Sequence, residues 1–221
     1  MYVDNPAVLA VRHSAWRRHR NAFSSVIALS ALTFLLDCLA AVGAEKTEKT
    51  TIADKTLVAW VAPANLSQRG GSALTIEKSG GTFDAMVLGE LAPSKWMAGS
   101  NGFARTQKDQ SAAAAETADP KTLVQIAIVY KGKQITLYRN GAKYAQYAVA
   151  SPEQFGGDSL VLLGLRHLDA NPEDRFFAGS IEDARIYAVA LEASQIAGLK
   201  PNQPSEPKPL AWWDFEDGRA A

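Results

Sequence analysis

The chain is 221 residues long and carries 23 Lys and Arg against 23 Asp and Glu, a formal net charge of zero. Without a basic excess nothing neutralises a phosphate backbone, which excludes nucleic acid as the expected partner. A single cysteine excludes a disulfide framework, and because Cys38, His13 and His19 all fall within residues 1–44, the rest of the chain lacks the ligands for zinc sites of the usual His/Cys kind.

Residues 1–44 read as an export signal with a helical apolar stretch. Arg17, Arg18, His19 and Arg20 form a positive leader. Residues 22–36 are an apolar run, and Val42-Gly43-Ala44 resembles a cleavage site before Glu45. The alternative is an uncleaved anchor, since residues 22–44 are long enough to span a bilayer. Asp37 interrupts that stretch, where a charge costs about 2.5–3.5 kcal/mol. The expected location is therefore secreted, periplasmic or at the cell surface, with membrane contact only through an uncleaved signal. Loss of residues 1–44 leaves a net charge of −2, no cysteine and one histidine, His167. The roughly 177 remaining residues are enough to be stable through core burial alone.

Residues 45–55 (EKTEKTTIADK) are polar and predict a flexible lead-in. From residue 56 the pattern is short strands between turn signals, which predicts an all-β fold. Residues 56–62 (TLVAWVA) are β-rich, 69–72 a turn and 73–77 a strand. Gly80-Gly81 turns the chain into 83–90, where Phe83, Ala85, Val87 and Gly89 alternate with other residues. Residues 95–98 and 102–107 predict a strand pair around Ser100-Asn101-Gly102. Residues 108–121 (KDQSAAAAETADPK) are a loop, with any helical turn on the alanines stopped by Pro120. Residues 122–150 predict an antiparallel meander: LVQIAIVY, a turn at Lys131-Gly132-Lys133, QITLYR, then Asn140-Gly141 and AKYAQYAVA. Asn-Gly tolerates the positive φ angles that a type I′ hairpin turn needs. A buried strand over 159–165, a charged loop over 166–176, a strand over 177–187 and a short helix over 191–199 follow. Residues 200–210 (KPNQPSEPKPL) hold four prolines and predict a stiff linker. Residues 211–221 form a strand-like tail.

Three pieces carry a resemblance. They are Leu57-Val58-Ala59-Trp60-Val61, the hairpin IVYKGKQITLYRNGAKY, and the run GSIEDARIY at 179–187 followed by Ala190-Leu191 and Ser194-Gln195-Ile196. Together they resemble the laminin-G-like, concanavalin A-like modules of bacterial secreted proteins, and the third piece is the most specific. The resemblance implies a two-sheet antiparallel jelly-roll sandwich over residues 56–199, one bound calcium ion and a lectin-like role with a glycan ligand. The sequence is also similar to modules attached to bacterial secreted glycosidases, including the β-fructosidase type of glycoside hydrolase family 32, which implies a tethered catalytic domain. Glu182 stands where the family usually has Asp, and Ala184 where it has Val. The family's usual first strand, W-x-F-D-E-G, is missing before Thr56. A segment like it stands at the other end, Trp213-Asp214-Phe215-Glu216-Asp217-Gly218. Either it begins a further module of a longer protein, or it folds back as the missing edge strand.

Glycoside hydrolysis needs two carboxylates across a cleft, and no E-x-D-x-x-E run is present. Glu182 and Asp183 are neighbours, so on a strand they point to opposite faces. Asp214 and Glu216 share a face, but in the tail. Ala98-Gly99-Ser100-Asn101-Gly102 has the spacing of a nucleophile elbow but lies between strands, not between a strand and a helix. No catalytic residue is assigned, and the module reads as non-catalytic. Asp183 is the first choice for a calcium ligand; the competing reading pairs it with Arg185 on the same strand face. A sugar site combines an aromatic platform with planar polar groups, and Trp96, Arg105, Arg166, His167, Asp169 and Arg175 supply both if their loops converge. Trp60 is expected in the core. A protein-interaction or adhesion module and a jelly-roll glycosidase stand as the alternative functions.

Overall fold

The computed structural model describes residues 9–11, 51–169 and 176–215. The export signal read over residues 1–44 lies outside them, apart from a three-residue strand, β1 (Leu9–Val11). The fold is all-β, two antiparallel sheets stacked as a sandwich. After β1 come β2 (Lys55–Pro63), β3 (Gly71–Lys78), β4 (Thr82–Leu88) and β5 (Trp96–Ser100). The meander is β6 (Val124–Lys131), β7 (Gln134–Arg139) and β8 (Ala142–Ala148). Then follow β9 (Leu160–Leu163), β10 (Gly179–Tyr187), helix α1 (Ala193–Gly198) and β11 (Ala211–Trp213). One sheet runs β1-β9-β3-β4-β5, the other β11-β10-β2-β6-β7-β8.

The continuous apolar run of β2 has a physical cause. Leu57, Ala59 and Val61 point into the main core between the sheets, where they meet Ile126, Ile128 and Ile186 from β6 and β10, and Leu74 and Met86 from the facing sheet. Val58 and Trp60 point the other way, into a second cluster closed by Leu191, Ile196 and Leu199. A strand covered on both faces loses its alternation. Helix α1 is short but properly started, because Glu192 and Gln195 form a reciprocal capping box.

The lead-in expected over 45–55 is overturned at its end. Lys55 is the first residue of β2 and fully buried, and Ile52 bridges to Phe155. The strand expected over 102–107 does not form: β5 is followed by a 3₁₀ turn at Asn101–Phe103. Gly102 and Phe103 both sit at φ 57 there, and Arg105 turns inward to Asp84. The Pro-rich segment 200–210 is held along β10 by the Asn202 and Leu210 N–H groups, which donate to Asp183 and Ile186, and by a hydrogen bond between the Ser205 and Tyr187 hydroxyls.

Candidate functional site

Alternation sets the site. Along β4, Met86 and Leu88 face the main core, while Phe83, Ala85 and Val87 face away from the other sheet and cluster with Met97 of β5. Loops close over this outer face. At one end they leave a cleft of about 340 Å³, lined by the Gly80-Gly81 turn, Phe83, Glu90, the turn at 101–103, and Arg166, His167 and Asp169.

Each wall has its support. Glu77 is buried on the same outer face, and its Oε2 accepts the Leu168 N–H at 3.0 Å, which pins the loop after β9. Burial raises the Glu77 pKa, against the pull of that hydrogen bond. The His167 ring stacks on Phe83 with centroids 4.7 Å apart and 12° between planes. Burial, with Arg166 beside it, holds His167 below its ordinary pKa of 6.5, so the imidazole is mainly neutral at pH 7. Arg166 pairs with Glu90. Beneath the floor, Arg105 binds Asp84 Oδ1 at 2.8 Å and donates to Asn101 Oδ1 at 3.2 Å, which steadies the 101–103 turn. The cleft thus presents the Phe83 and Phe103 rings, a guanidinium, a neutral imidazole stacked on Phe83, an amide and two carboxylates. Planar polar groups of this kind can hydrogen-bond vicinal hydroxyls, and rings can pack against sugar C–H groups.

Of the residues expected at a sugar site, the structure brings Arg166, His167 and Asp169 to one cleft and puts Arg105 below it. Trp96 points to the opposite side of its sheet. It is buried in the main core, and its indole N–H donates to Glu116 Oε2 at 2.8 Å. Arg175 lies outside the described residues. Sequence reasoning missed Glu90, Asn101 and Phe103 as cleft residues. The one available signal was Ser100-Asn101-Gly102, whose turn chemistry fixes where Asn101 points.

Calcium does not fit at Asp183. Its carboxylate is fully buried against Arg185, with Nε to Oδ1 at 2.8 Å and Nη2 to Oδ2 at 2.6 Å. Oδ2 also accepts the Asn202 N–H at 2.7 Å and the Trp212 indole N–H at 3.0 Å. These four donors, two of them from the Arg185 guanidinium, leave no room for a cation. Among the described residues no group of three or more His, Cys, Asp or Glu side chains gathers at one point.

The family model of the concanavalin A-like lectin/glucanases superfamily matches residues 41–197. No curated protein sequence matches the chain. Among solved structures, a Bacteroides ovatus protein assigned to carbohydrate binding is similar at 13% identity and a TM-score of 0.52, over 75% of this chain and 46% of that one. The extracellular region of zebrafish Gpr126/Adgrg6 is similar at 13% identity and a TM-score of 0.50, over 74% of this chain and 21% of that one. Domain 4 of a GH43 extracellular arabinanase from Geobacillus stearothermophilus, solved with arabinotriose, is 17% identical with a TM-score of 0.49, over 67% of this chain and 66% of that one. The chain thus spans less than half the length of the first of these proteins. At such identities the likeness is one of fold.

Proposed function

The chain belongs to the concanavalin A-like lectin/glucanases superfamily, and on that premise we propose that it is an exported, non-catalytic carbohydrate-binding module that serves a glycoside hydrolase. The observation that carries the reading is the cleft at Arg166, His167 and Asp169, where planar polar groups and aromatic rings line one concave surface. The non-catalytic part rests on the sequence, which has no E-x-D-x-x-E run, and on Glu90, one of the cleft's two carboxylates, being engaged by Arg166 rather than set as half of an acid–base pair.

The test is a glycan array with residues 45–221, including fructans, arabinans and sialylated glycans, followed by titration calorimetry on the best ligand. His167→Ala and Asp169→Ala are expected to weaken binding about tenfold or more with unchanged melting, since each removes cleft groups and leaves the ion pairs intact. Absence of binding to any glycan, with saturable binding to a protein partner, would move the reading to an adhesion module. Release of reducing sugar from the bound glycan would move it to an enzyme.

A further inference from the structure

A second cavity opens at the outer edges of the two sheets, between β5 and β8, under the loop of residues 104–123. Its volume is about 120 Å³, approaching the ~150 Å³ that accommodates a benzene molecule in an apolar protein cavity. Leu137 and Ala98 line it from the core side and Tyr144 and Tyr147 from β8. Tyr147 donates its hydroxyl to the Arg105 carbonyl at 3.0 Å, and Tyr144 donates to the Ala114 carbonyl. Both hydroxyls are thus spent on the loop, and the tyrosines bring mainly ring carbon to the wall. Gln110 closes the cavity from the loop side. It is only 8% exposed, and its Oε1 is buried without a hydrogen-bond partner.

A buried acceptor is almost always satisfied, and leaving one open is costly. Gln110 lines a cavity whose wall mixes aliphatic and ring carbon with Gln107, Asp109 and Gln146, and which is large enough for a group of roughly five heavy atoms. We infer that this cavity is a second ligand site, which seats the acetamido group of an N-acetylated sugar. The group's methyl meets the Leu137 and Ala98 side, and its N–H supplies the donor that Gln110 Oε1 lacks. Its carbonyl is left toward the opening, where Gln107 and water offer donors. A hydroxyl alone also satisfies Gln110 but leaves the apolar wall unfilled, so acetylated sugars are preferred over their parent sugars. The site is separate from the cleft at Arg166 and does not depend on the reading of that cleft.

NMR titration of the wild-type protein with N-acetylglucosamine and N-acetylgalactosamine, beside glucose and galactose, tests this. Saturable amide shifts are expected at Gln110, Tyr144 and Tyr147 with the acetylated sugars, with affinity at least about tenfold above the parent sugars. Gln110→Leu is expected to weaken binding at least about tenfold. Gln110→Glu, which keeps an acceptor, retains it. The proposal is overturned if no sugar gives saturable shifts, if parent and acetylated sugars respond alike, if the shifts cluster at Arg166–Asp169, or if a folded Gln110→Leu protein binds like wild type. Should Gln110→Leu fail to fold, the wild-type shift map and the sugar preference decide alone.

Discussion

Asp183 receives hydrogen bonds from its own strand and from two points beyond it, Asn202 and Trp212. Arg185 lies between the rings of Trp60 and Trp212, at 5.0 and 4.8 Å, and donates to the Lys200 carbonyl at 2.8 Å. Removing one member of a buried pair leaves the other charge uncompensated, which costs about 3–5 kcal/mol. Asp183→Ala is expected to lose that much in urea unfolding. Trp212→Phe keeps a ring over Arg185 but removes one donor, and is expected to lose only about 1–2 kcal/mol. A second buried carboxylate makes a different prediction. Burial pushes the Glu116 pKa up, but hydrogen bonds from Arg139, Trp96 and the backbone N–H groups of Ala118 and Thr117 outweigh it and hold it at about 2, against an ordinary 4.5. The folded state therefore binds that proton less readily than the unfolded one. Glu116 contributes its stability in full above about pH 4.5 and loses it as pH falls toward 2. Wild type is expected to lose stability steeply across this window in acid titrations followed by circular dichroism. Glu116→Gln is expected to be less stable at neutral pH, with a shallower acid limb.

At the scale of elements, the parts legible in the sequence are those built from neighbours in the chain. The β7–β8 hairpin is written in Asn140-Gly141, and both residues take positive φ, 49 and 76. Asn140 does more than turn: its Oδ1 accepts the Gln125 N–H at 2.8 Å and ties the hairpin to β6. A Cβ on Gly141 would lie 2.9 Å from Ala197 of α1, so backbone conformation and helix packing both require glycine. Gly141→Ala is expected to destabilise by more than about 1 kcal/mol, with faster amide exchange in α1 and β8. Strand β10 was legible too, but its bulge between Ile181 and Asp183 was not. The extra residue lets Ile181 and Ala184, three apart, both face the main core. Lys55 was misread for the opposite reason. Its neighbours in sequence are polar, and its burial depends on Asp84, Glu153 and two aromatic rings far along the chain.

In the whole molecule, that lysine belongs to a charge cluster enclosed by the sandwich. Asp84 Oδ2 lies 2.9 Å from Lys55 Nζ and Asp84 Oδ1 2.8 Å from Arg105 Nε. Lys55 also sits 4.2 Å from the Tyr130 ring and 4.7 Å from that of Phe155. One fully buried anion serves two buried cations, and the partly exposed Glu153 stands 3.6 Å from Arg105 as a second. Asp84→Leu is therefore expected to cost more than Lys55→Met, with at least about 3 kcal/mol for the former by denaturant melts, because Lys55→Met leaves Asp84 its arginine. The candidate cleft shows the same division between near and far. Arg166, His167 and Asp169 are close in sequence, so any tight loop gathers them. Asn101 and Phe103 join them only because β5 lies at the edge next to β4, a pairing that no local pattern announces.

The pairing of β2 with β10 has a consequence during synthesis. β2 lies between β10 and β6 in its sheet, with Lys55 opposite Tyr130 and Thr56 opposite Tyr187. A ribosome adding about 5–20 residues per second releases β10 on the order of ten seconds after β2. Through that interval an apolar strand waits with one flank open, and neither the outer cluster under α1 nor the Asp183 pair can form. The nascent module is therefore exposed longest along the open flank of β2, until β10 emerges.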